Sequence, residues 1–187
     1  MYFPLMQFDY DTITVQTKTI TGSMCYCVFL ASDHPFPTIP LVQEQPALNA
    51  TPLQEDHPVK KWLNKPHQVQ LGSRTWCACG LNCRSNGWME PEKPAAFSAE
   101  YTEAIWADVL EGYFLDNKCL EEYFAYMRAM LALGDLEWYC CWDGDWDIPP
   151  VCGLQLPAAV LTGEPDYKKE YPLEEGLYIC YEASTAL

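Results

Sequence analysis

Residues 24–31 read Met-Cys-Tyr-Cys-Val-Phe-Leu-Ala and are apolar on both alternating faces. A strand with two apolar faces belongs inside a sheet, because either face left in water would strand hydrophobic surface. Ser32-Asp33-His34-Pro35 ends it. The rest of the chain must therefore supply neighbouring strands and covering layers.

Seven of the fifteen prolines fall between Pro35 and Pro66. Proline removes ladder donors and fixes φ, so this stretch reads as a long irregular excursion, with a short helical turn near Val59–Leu63 at most. His67–Leu71 is a short strand with Val69 and Leu71 on one face, ended by Gly72-Ser73. The cysteine-rich stretch from Cys77 to Cys83 follows, then a polar Gly/Pro segment to Pro94.

Two helices are expected next. Ser98 suits an N-cap, and Tyr101, Ile105, Val109 and Tyr113 recur every fourth residue, with Trp106, Leu110 and Phe114 widening the stripe. Asp116-Asn117 breaks this helix and caps a second, in which Leu120, Tyr123, Phe124, Met127, Met130 and Leu131 repeat at helical spacing. Leu136–Trp142 reads as a strand, and Asp143-Gly144 as a hairpin turn. Pro149-Pro150 opens a second irregular stretch, and Gly176–Tyr181 forms a last strand. This order predicts an α+β fold: a mostly antiparallel sheet with a helical pair packed on one face, and long Pro-rich loops. Residues 1–23 read as a peripheral N-terminal extension: their Thr-rich alternation from Asp9 to Thr21 suits one exposed edge strand, or equally an addition ahead of a frame opening at Met24. Residues 24–187 then make a single α+β domain.

Twenty-six acidic residues against eleven basic ones give a net charge of -15. Such a chain is repelled by phosphate, which argues against nucleic acid and anionic membrane surfaces as partners. It admits a basic protein partner, as an acidic immunity protein would have. No run of 18 apolar residues offers a membrane span, and Met1–Phe8 lacks the regions of a secretory signal, so a cytoplasmic protein is expected. In that compartment the ten cysteines are expected as thiols rather than as a disulfide framework.

The cysteines carry the one chemical oddity. Cys25 and Cys27 stand two apart in a strand, so both are expected on the same side. Cys77 and Cys79 are also two apart, with Gly80 freeing the backbone to turn. If the two segments are neighbours, Cys25, Cys27, Cys77 and Cys79 form four thiolates around one ion, with zinc the leading candidate. A soft dication holds thiolates deprotonated where bare ones would be costly. The Cys-x-Cys spacing differs from the usual zinc knuckle of two to four intervening residues, and small buried hydrophobes are the plain alternative for free cysteines.

Reactive thiol chemistry is the second reading. Cys25 would follow an initiator at Met24 and could use its own α-amine as base. Cys77 or Cys79 beside Arg74 could be a lowered-pKa thiolate, with His34 or His67 as partner. Asp143-Gly144-Asp145-Trp146-Asp147 starts like a calcium loop but has Ile148 and Leu154 where Gly and Glu are needed, so a turn is expected. The acid-rich helical positions, Asp108 and Glu111 among them, read as a solvated face. No nucleotide-binding or hydrolase motif occurs.

Met24-Cys25, Ala31-Ser32-Asp33-His34-Pro35-Phe36-Pro37 and Gly72-Ser73-Arg74-Thr75-Trp76-Cys77-Ala78-Cys79-Gly80 form three islands. With Cys141-Trp142-Asp143-Gly144-Asp145 they resemble a family of small uncharacterised bacterial proteins. That family opens with Met-Cys, continues into A-[ST]-D-x-P-x-P and carries G-S-x-x-x-C-x-C-G. The resemblance implies that residues 1–23 are an addition and that Cys25, Cys77 and Cys79 share a role. It implies no activity, and its pattern does not include Cys27 or Cys83.

Overall fold

The computed structural model describes residues 25–42, 47–74, 77–81, 103–161 and 175–183, without the side chains of residues 103–105, 109 and 113. Among the described residues six strands form one sheet: β1 (Tyr26–Ser32), β2 (Asn49–Pro52), β3 (His67–Gly72), β4 (Leu136–Trp142), β5 (Cys152–Pro157) and β6 (Leu177–Glu182). Their spatial order is β2-β3-β1-β4-β6-β5. Among these described strands only the β5–β6 pair is parallel. One long helix, α1 (Glu103–Leu131), packs on the sheet. The fold is α+β.

The doubly apolar strand lies inside the sheet, as its pattern requires. β1 pairs β3 on one side and β4 on the other. On the helix face, Val28 and Leu30 meet Leu120, Phe124, Met127 and Trp138 in the larger core. The Trp138 indole donates to the Tyr123 hydroxyl at 3.0 Å, tying β4 to α1. On the other face, Cys27, Phe29, Ala31, Tyr139 and Cys141 pack beneath Val59 and Leu63. A 3-10 turn, Pro58–Trp62, covers that face. The buried Glu137 carboxylate anchors the end of this cover, accepting the Asn64 backbone N–H at 2.7 Å and its side-chain amide at 3.1 Å.

Four expectations change. The helical pair is a single helix of 29 residues that runs through Asp116-Asn117 unbroken. Asp and Asn cost a helix interior only about 0.6 kcal/mol, and here the Asp116 carboxylate is taken by Arg74 instead of capping. Phe114 is exposed, so the stripe does not extend to it. Ser98 and Tyr101 lie outside the described residues.

The irregular stretches also contain β2 and β5. Both are edge strands ending in proline, which an edge tolerates because it needs no donor on its open side. The turn at Asp143-Gly144 forms, with Gly144 at φ +91, where a side chain would be strained. It does not make a hairpin, because β6 lies between β4 and β5. Residues 1–23, read as a peripheral extension, lie outside the described residues. Among the described residues no helix is long and apolar enough to cross a membrane.

Candidate metal centre

β3 leaves the sheet early. Its ladder to β1 reaches Val28 opposite Leu71 and goes no further. The chain turns through Ser73 and Arg74 and returns as a 3-10 turn, Ala78–Leu81, whose Ala78 and Leu81 are buried in the larger core. The Tyr26 backbone N–H, with no β3 carbonyl to meet it, donates to Cys79 Sγ at 3.2 Å. On the β4 side, the Asp143 N–H donates to the Cys25 carbonyl at 2.8 Å and fixes the residue ahead of β1.

These two ties bring three sulfurs together. Cys25, Cys77 and Cys79 Sγ lie within 4.8 Å of one another, and each residue is half-buried. Zinc at 2.3 Å from each sulfur of a tetrahedral site would set them about 3.8 Å apart, a small contraction of this group. Ordinary rotamer adjustment supplies it. The donors are all soft, which suits zinc, copper(I) or cadmium and not magnesium or calcium.

The loop carrying Cys77 and Cys79 is closed by Ser73. Its N–H and its hydroxyl both donate to the Cys77 carbonyl, at 2.9 and 2.8 Å. Ser73 is fully buried, and its own carbonyl accepts from Asn49 Nδ2 at 2.9 Å. Gly80 lies against it: a Cβ there would meet the Ser73 hydroxyl and sit 2.7 Å from Ser73 Cβ. Arg74 Nε donates to Asp116 Oδ1 at 2.5 Å and fastens the loop to α1. The Gly-Ser and Cys-Gly ends of the motif therefore have a mechanical reason that the spacing did not reveal.

Cys27 does not join the group. It lies in the core of the opposite face with Cys141, its direct cross-strand partner. Its thiol faces Asp143 Oδ1 at 3.8 Å and receives Gln70 Nε2 at 3.7 Å, both weak contacts to sulfur. The same-side expectation assumed that the strand includes Cys25, whereas β1 begins at Tyr26. Cys83 lies outside the described residues.

The electrostatics favour thiols over thiolates. The Cys25 pKa is raised, chiefly by Cys77. Burial pushes the Cys79 thiol up to about 11, and Cys27 and Cys141 to about 12. The Arg74 guanidinium is turned to Asp116, and the Cys25 and Cys79 thiols stand raised rather than lowered. His34 and His67 sit at the Ser32 end of β1, about 20 Å along the strand from Cys25. His57 packs between Phe29 and Trp146 on the opposite face. The described cluster therefore contains no histidine. The nine described cysteines stand as free thiols. No carboxylate of Asp143–Asp147 belongs to a metal-ligating group among the described residues.

No protein-family model, no curated protein and no solved structure matches this chain.

Proposed function

We propose that the protein is a metal-binding module whose centre is Cys25, Cys77 and Cys79, with zinc as the ion. The observation that carries this reading is the meeting of three sulfurs from segments about fifty residues apart, within 4.8 Å. Small buried hydrophobes would have no reason to converge half-exposed at a sheet end. Three neutral thiols at this distance gain only weak contacts from one another, whereas three thiolates around a dication gain strong bonds. Binding releases three protons and leaves the centre with a net charge of minus one. A site of that sign suits holding an ion more than polarising a carbonyl.

A cysteine nucleophile at Cys25 or Cys77 is the weaker alternative. A reactive thiol needs a positive neighbour or a base, and here the neighbours are thiols, Asp143 and an Arg74 already paired.

The test is elemental analysis of purified protein with a thiol count under reducing conditions. About one equivalent of zinc is expected, falling to trace in Cys25→Ser and Cys79→Ser. Protein that takes up no zinc, cobalt(II) or cadmium on titration at pH 8 would overturn the reading. So would one thiol alkylated far faster than the others at pH 6.

A further inference from the structure

We infer that the centre is held in shape by the protein rather than by its ion, with Ser73 as the positioning residue, so that metal loads and unloads without unfolding the chain. This rests on the metal reading above and adds the regulation of the same site: the ion is exchangeable rather than structural.

Many small structural zinc sites depend on the ion because little else fixes their ligand loops, and removing metal unfolds them. This loop is fixed four times over without a sulfur–metal bond. Ser73 holds the Cys77 carbonyl with two donors. Asn49 holds Ser73 from β2. Ala78 and Leu81 are sunk in the core beside α1. Arg74 ties the loop to Asp116 on the helix. The third ligand, Cys25, is set separately by its bond from Asp143, just past the end of β4.

Gly80 shows how tight the fit is. Ser73 occupies the space a side chain at 80 would need, so the serine and glycine form one unit. Ser73 acts through the Cys77 backbone. Its carbonyl contact sets where the chain presents Cys77, and through the single intervening residue, Cys79. Outer groups of this kind commonly change metal affinity ten- to a hundredfold when removed.

The experiment uses the full chain under reducing conditions, with zinc and cobalt(II) as probes. Metal-loaded protein is stripped with chelator and followed by amide hydrogen exchange and near-ultraviolet circular dichroism. The stripped protein should keep its sheet protection, including the Tyr26 and Ser73 amides, and recover one equivalent of zinc on simple addition. Ser73→Ala and Gly80→Ala should each bind cobalt(II) about tenfold or more weakly, with an altered visible spectrum, while the stripped variants keep a cooperative melt.

Loss of sheet protection on stripping overturns the inference, and this arm needs no variant to fold. Wild-type affinity and spectrum in Ser73→Ala overturn the positioning role. If the wild type binds neither zinc nor cobalt(II), the metal reading itself has failed, and that result is distinct from both.

Discussion

Cys25 and Cys27 are two residues apart and have opposite surroundings. Cys27 lies within a ladder with strands on both sides, and alternation sends its side chain into a dry core opposite Cys141. Cys25 stands just before β1, where β3 has already departed, and its sulfur meets those of a returning loop. The contrast teaches that a thiol gains company at the end of a strand, where the backbone stops dictating its neighbours. Inside the ladder it gains packing and only weak polar contacts. Both regions raise thiol pKa values, but by different routes. At the end of the strand Cys25 is raised by another thiol, and in the core Cys27 and Cys141 are raised by burial.

The largest expected effect separating the two regions is the pH dependence of metal affinity. Cys25 and Cys79 both have raised pKa values and are protonated near neutral pH, so an ion must displace their protons. These two protons alone cost about tenfold each per pH unit, so affinity should fall at least about ten-thousandfold between pH 8 and 6. Competition against a chromophoric chelator across that range measures it, and a flat profile would remove thiol ligation.

Substitution comes next. Cys79→Ser should weaken zinc binding by about a hundredfold or more, since one thiolate bond is lost. Cys27→Ala should leave the stoichiometry unchanged and lower only stability. Equal loss in the two variants would return Cys27 to the centre.

The core pair should show itself at high pH instead. Thiols buried in the fold ionise at about 12, against about 8.5 in an unfolded chain. Their contribution is complete below pH 8.5 and is lost as pH rises through 12. On the order of 2 kcal/mol per thiol should be gone by pH 10. Urea midpoints at pH 8 and 10 should fall less in Cys141→Ala than in wild type.

The smallest effect concerns the tie from loop to helix. The Arg74–Asp116 pair is partly exposed, so Asp116→Asn should cost about 1 kcal/mol or less, read from the thermal midpoint. Metal affinity should drop by a few-fold at most.

Much of this was legible from residue order. The two-faced apolarity of residues 24–31 placed β1 in the interior, though the strand begins at Tyr26, and the aromatic alternation of 136–142 marked β4 to the residue. The spacing of Leu120, Tyr123, Phe124, Met127 and Met130 marked the buried half of α1. The helix's passage through Asp116 was not legible, because it depends on an arginine forty-two residues earlier. The strand at Asn49–Pro52 was hidden by its brevity and its proline. At the centre, Cys-x-Cys spacing pointed to Cys77 and Cys79, while Ser73 escaped notice because its work is a hydrogen bond to backbone. Side-chain chemistry leaves traces in a pattern of residue types, and main-chain contacts of this kind leave few.

The central position of β1 and β4 sets an order of opening. Amides in the middle of a six-strand sheet exchange with solvent only when most of the molecule opens, whereas edge strands such as β2 and β5 fray locally. Cys25 is joined directly to the slowest of these segments, and the other two sulfurs to a loop that hangs from its neighbour. Thermal fluctuation should therefore part the three sulfurs from the loop side first, and the ion's exit route should follow it.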